Sequence, residues 1–214
     1  MRPAPPSVSR SGEPRLQRLS ELVCLPRRSP LHPQLARALA GAAELHDVYT
    51  DLHPVPVRPT ATTRQAGCYR MREGDPIDLR VSRRHDRVPL SFLHELAHLI
   101  DHQVAPEPRR FASTGHPALK AWRAAARRLE SRVPARAGRS HRRYFDSSKE
   151  LWARSYAQTV LLRSSDSVLR ASLTALQRAD DPFIWPEWEF EPLAREVEAV
   201  FARLDLLAAR ELAA

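Results

Sequence analysis

Residues 90–100 constrain this chain more than any other stretch. They read Leu-Ser-Phe-Leu-His-Glu-Leu-Ala-His-Leu-Ile, and Leu90, Phe92, Leu93, Leu96, Leu99 and Ile100 clothe the segment in apolar side chains. Such a pattern predicts a helix buried on most of its faces, yet it carries His94, Glu95 and His98, and buried polar groups need partners. Residues four apart share one helix face, so His94 and His98 can present two imidazoles to a single Zn²⁺ at about 2.0–2.1 Å each. Glu95 then projects beside the metal. A carboxylate there can take the proton of a metal-bound water, whose pKa the ion lowers from 15.7 to about 7, and pass it on to a leaving amine. The competing reading is a buried helix with two hydrogen-bonded histidines and a surface Glu95; zinc satisfies these groups at once.

A catalytic zinc needs a third protein ligand and an open position. Asp101 follows His98 by three residues and points within roughly 20° of His94 at about 100° per residue. One straight helix rarely wraps three ligands around an ion, so Asp101 reads instead as a residue holding a histidine N–H or a neighbouring strand. His102 lies a turn too far along, and no glycine turns the chain before it. His116 and His141 fall in Arg- and Gly-bearing stretches and are expected to face solvent. Glu150, in Ser147-Ser148-Lys149-Glu150-Leu151-Trp152-Ala153-Arg154, is the remaining candidate. Ser147-x-x-Glu150 is equally a capping box, in which the carboxylate would reach back to the cap's own N–H. Spacing leaves both roles open.

The rest of the chain predicts strands early and helices late. Residues 1–30, rich in Pro, Ser and Arg, read as a mobile tail, with a short docking helix within 13–23. Residues 31–214 read as one domain. A helix is expected over 33–45, a strand over 47–52 and a hairpin over 66–82 turning at 73–76, then helices near 90–104, 117–133, 148–162, 166–178 and 190–212. The fold class is therefore α+β, a small mixed sheet followed by the motif helix and a mainly helical C-terminal half.

Charge and cysteine usage narrow the function. The net charge is +9, and Lys occurs only at Lys120 and Lys149 among 34 basic residues. Residues 104–145 hold eleven basic groups against Glu107 and Glu130, which equals the whole net charge. That segment could attract acidic peptides or nucleic acid, or be a solvated face that the acidic residues 180–214 partly cover. Cys24 and Cys68 are isolated, which excludes a disulfide-stapled secreted fold. With no membrane-length apolar run and no apolar signal-peptide centre, the expected location is the cytoplasm.

His-Glu-x-x-His-x-x-Asp followed some fifty residues later by Glu-x-x-Ala-Arg resembles the gluzincin peptidases of the anthrax lethal factor type, and is similar to metallopeptidase domains of phage and mobile-element proteins. The resemblance covers about residues 45–162. It implies a zincin-like fold and a zinc-dependent endopeptidase acting on an extended peptide or protein segment, with His94, His98 and Glu150 as ligands and Glu95 as base. Asp101 matches the family's acidic residue after the second His. The family also places a Tyr before the third ligand to steady the oxyanion, which implies Tyr144, with Tyr156 in reserve. By analogy, residues 77–81 or their partners 67–72 form the rim that pairs with substrate, or else a plain sheet edge. Two alternatives stand beside this: a regulatory peptidase that cuts one partner such as a repressor or antitoxin, and a basic nucleic-acid- or phage-associated binding protein whose zinc site is structural or vestigial.

Overall fold

The computed structural model describes residues 16–211 except 51, 106, 108, 130, 131 and 133–137. In chain order the elements are β1 (Leu16–Arg18), α1 (Leu19–Leu22), β2 (Val23–Cys24), α2 (His32–Leu45), β3 (Val48–Thr50), β4 (Val55–Thr60), β5 (Gly67–Arg72), β6 (Asp75–Ser82), α3 (Val88–Gln103), α4 (Lys120–Ala126), α5 (Arg139–Phe145), α6 (Ser148–Arg163), α7 (Ser167–Arg178) and α8 (Glu187–Glu211). Strands thus precede a helical second half. None of the described helices is long and apolar enough to cross a membrane.

The expected hairpin is β5 and β6. Glu73 and Gly74 both take positive φ, 58° and 98°, as a two-residue turn between right-twisted strands requires. The sheet order is β2-β4-β6-β5, with β6 parallel to β4 and antiparallel to β5. Within residues 77–81, Leu79, Arg80 and Val81 are paired on both sides, so β6 is not a rim; of the two hairpin strands, β5 is the one at an edge of the sheet. Nothing in the sequence pointed to β4, because Pro56 and Pro59 lack the N–H of a ladder donor and argue against a strand. Its Val55 and Val57 alternate inward all the same.

The expected tail is part of the fold from Leu16 onward. β1 pairs with β3 and β2 with β4, while Leu19 and Leu22 are fully buried. The docking helix shrinks to the four residues of α1, one turn being enough to bury that i, i+3 pair. Residues 1–15 lie outside the described residues. The helix expected over 117–133 is a 3₁₀ turn, Pro117–Leu119, followed by α4.

Two helices form the centre. α3 contacts α2, α6, β5 and β6, which explains apolar residues on nearly all its faces. Beside it runs α6, whose middle is buried although rich in polar residues, several of which have partners on other elements. Ser155 accepts from Trp122 Nε1 at 3.0 Å, and Gln158 exchanges two hydrogen bonds with the Trp185 backbone. Tyr156 reaches His46 Nε2 at 2.7 Å, and the His46 ring stacks on Phe201 at 3.9 Å.

Burial holds His46 down from 6.5 to about 3. A lowered histidine pKa stabilises the fold above the unfolded value, and that stability is lost as pH falls from about 6.5 toward 3, at about 1.4 kcal/mol per pH unit. His46→Gln keeps a hydrogen-bonding group near Tyr156 and removes the titration. Denaturant melts between about pH 4 and pH 6 are expected to show a shallower pH slope for this variant; equal slopes would exclude His46 as the titrating group.

Candidate metal centre

The 3.6-residue helical repeat puts His94 and His98 on one face of α3, and α6 brings its first turn across them. His94 Nε2 and His98 Nε2 are 3.2 Å apart. Glu150 offers Oε2 to His94 at 3.2 Å and Oε1 to His98 at 3.4 Å. A tetrahedron with ligands 2.0–2.1 Å from its centre has edges of about 3.3–3.4 Å; the two imidazoles meet different oxygens of Glu150 at close to that spacing, and one donor atom from each residue lies within 4.8 Å of the others. Two imidazoles and a carboxylate are also a donor set suited to zinc. Among the described residues no other group of three His, Cys, Asp or Glu side chains converges in this way.

The same geometry removes the capping-box role of Glu150, since the Ser147 N–H donates to the Tyr144 carbonyl at 3.0 Å. Ser147 has the extended backbone of a cap residue, but its side chain makes no cap hydrogen bond, and its Oγ has no partner. The Glu150 carboxylate turns inward instead. Burial works against its charge, but hydrogen bonds from His94 and His98 hold it well below the usual carboxylate range. Burial likewise pulls the His98 pKa down, and Glu150 more than reverses this, leaving it raised.

Glu95 comes from the next position on α3 and faces β5. Its Oε2 accepts the Tyr69 N–H at 2.6 Å. Burial raises its pKa, with Glu150 adding to the rise and His94, His98 and the Tyr69 N–H opposing it. β5 carries a glycine where it meets this side chain: a Cβ on Gly67 would lie 2.7 Å from Glu95 Cγ and Oε1. Sequence reasoning missed Gly67, since the contact joins a strand to a helix far along the chain. Gly67→Ala is expected to displace the Glu95 carboxylate while the fold and metal affinity persist. On the expectation that Glu95 is a catalytic base, turnover should fall about 100-fold, the scale of a 1 Å misplacement; parent-like turnover would show that Glu95 needs no such fit.

Protein-family models, curated proteins and solved structures were compared with the chain, and none matches. The likeness to gluzincins therefore rests on the motif residues alone.

The remaining predicted residues separate cleanly. Tyr144 lies in α5 rather than in a loop, half-exposed beside the three donors. Burial, a hydrogen bond with Glu150 and the charges of Glu150 and Glu95 raise its phenol pKa. Tyr156 is fully buried and bound to His46. Asp101 does not hold a histidine or a strand. Its oxygens accept from Ser113 N–H and Oγ–H, both at 2.6 Å, because the chain doubles back in the 3₁₀ turn Ala112–Thr114. Burial raises its pKa to about 6 against those two bonds. His98 Nδ1 is consequently buried without a hydrogen-bond partner. His102 Nδ1 meets the Tyr69 hydroxyl at 2.7 Å, His116 caps the turn before α4, and His141 is exposed.

Arg154, which carried no assigned role in the sequence, is a buried cation at this centre. Its guanidinium lies 3.7 Å from the Phe145 ring centre and 4.8 Å from that of Trp185, and it donates to the Phe145 carbonyl at 2.8 Å. It thereby ties the end of α5, and so Tyr144, to the first turn of α6.

Proposed function

We propose that this chain is a zinc-dependent endopeptidase with a zincin-like fold. The observation that carries the proposal is the convergence of His94, His98 and Glu150, whose donor atoms lie within 4.8 Å of one another, with the Glu95 carboxylate beside them. A zinc ion held by these three ligands would supply Lewis acidity, polarising a scissile carbonyl and acidifying water. The mixed sheet followed by α3 and then α6, with β5 at the edge, supports the zincin-like assignment.

The chain's own groups account for the proton transfers. Glu95 accepts one proton from the attacking water as the new C–O bond forms, then gives a proton to the amine as the C–N bond breaks. Water and an amide become a carboxylic acid and an amine. Its raised pKa suits a group that must both take and return a proton near neutrality. The Tyr69 N–H and the bare Cα of Gly67 fix its carboxylate. Tyr144, on the solvent side of the donors, adds a neutral hydroxyl donor where negative charge develops. The free edge of β5, which runs past Glu95, suits an extended chain added as a further strand.

The test is zinc content and cleavage of an unfolded protein substrate, with metal-loaded and chelator-treated protein. One zinc per chain and turnover that vanishes with chelation and returns with zinc are expected. Full zinc with no cleavage would make the centre structural, as in a binding protein.

A further inference from the structure

Resting on the peptidase reading, the mouth of the same site carries a substrate preference. Lys149 is one of only two lysines among 34 basic residues. Its ammonium lies 5.6 Å from the Phe111 ring centre and 5.5 Å from that of Tyr144. Phe111 is set edge-on to the His98 ring at 6.0 Å, and Tyr144 adjoins the Glu150 carboxylate. The two rings that hold the ammonium thus each touch a metal-donor side chain. The cation is fixed at the rim of the site, not loose on the surface.

Two features set Lys149 apart from a solvated surface charge. It stands in the first turn of α6, where the helix dipole disfavours a cation. It also forms no ion pair with any carboxylate among the described residues, the flanking rings being its recorded neighbours. Ring faces attract an ammonium but leave its three N–H donors available. An arginine, the residue this chain uses almost everywhere else, would stack flat on such rings and offer a fork; a lysine offers a compact point charge. A cation held between two rings where the helix dipole opposes it, with no protein carboxylate paired to it among the described residues, is suited to a carboxylate from a ligand. Two further cations, Arg139 and Arg143, are exposed on α5, the helix that carries Tyr144, while the Glu150 and Asp146 carboxylates flank Lys149 in the chain.

We propose that Lys149 pairs with a carboxylate of the substrate, so that the enzyme selects segments carrying an acidic group next to the cleaved bond. The carboxylate is either an Asp or Glu side chain or a free C-terminus, and matched peptides distinguish the two.

The test uses the full zinc-loaded chain and fluorescent peptides that carry Glu or Gln near the centre, each with a free-acid or amidated C-terminus. Binding is measured on the Glu95→Gln protein and kcat/KM on the parent. Binding to the acidic peptides about tenfold or more tighter is expected, the scale of a charge-assisted hydrogen bond. Glu over Gln identifies the side chain, and free acid over amide the terminus. Adding Lys149→Met should remove the preference, and Lys149→Glu should reverse it toward a Lys-containing peptide. Equal binding of charged and neutral peptides, or a preference that survives Lys149→Met, overturns the proposal. Selective binding that Lys149 controls, without turnover in the parent, upholds the carboxylate site and rejects the peptidase reading instead.

Discussion

Glu95→Gln is expected to leave the protein folded and zinc-loaded while removing nearly all turnover. Glu95 is buried and faces β5, so it is not one of the three converging donors. A glutamine carbonyl can take over the hydrogen bond from Tyr69 N–H. The substitution also removes a carboxylate whose ionisation burial already opposes, so thermal stability should be unchanged or slightly higher. What it removes is a proton acceptor, since an amide neither takes a proton from water nor returns one to an amine. Loss of such a group costs about 10²–10⁴-fold. Zinc per chain, melting temperature and kcat on one cleaved peptide decide the matter together. Turnover within tenfold of the parent would place the base elsewhere, and loss of zinc would make Glu95 a ligand.

What was legible in the sequence was whatever a single helix determines. His94 and His98 share a face because they are four residues apart, and the apolar run around them announces burial. The angular argument for Asp101 was sound as far as direction goes, but its carboxylate is captured by Ser113 where the chain returns against α3. No spacing rule reports that return. Glu150 satisfied a capping box as well as a ligand role, and only the approach of α6 to α3 separates them.

Features that depend on distant strands or hide their periodicity were not legible. β4 is masked by two prolines, and α5 offers a single buried residue, Phe145, so no apolar repeat marks it. Gly67 shows its purpose only when β5 lies against Glu95. Arg154 reads in a sequence as surface charge, whereas here two aromatic rings and a carbonyl hold it inside. The docking helix expected within 13–23 was legible from Leu19 and Leu22, which are fully buried, whereas the pairing of β1 with β3 and of β2 with β4 was not.

Glu150→Gln is expected to cut zinc affinity by a large factor, and comparison with Asp101→Asn shows why. Structural zinc sites of zinc-finger peptides bind with about 10–16 kcal/mol, and on that scale losing one of three ligands forfeits about 3–5 kcal/mol, or about 10²–10⁴-fold. An amide oxygen keeps the shape of the Glu150 side chain but not its charge, and it is that charge which the two histidines favour. Without it His98 also loses the partner that raises its pKa. Asp101 touches neither imidazole by hydrogen bond, and its two bonds go to Ser113. Asp101→Asn should therefore loosen the Ala112–Thr114 turn while zinc affinity stays within about tenfold, the lower end of what an outer residue costs. Competition with a chromophoric chelator measures both variants on one scale. If Asp101→Asn empties the site and Glu150→Gln leaves it full, the His94–His98–Glu150 triangle is a hydrogen-bonded cluster and the third ligand lies on α3.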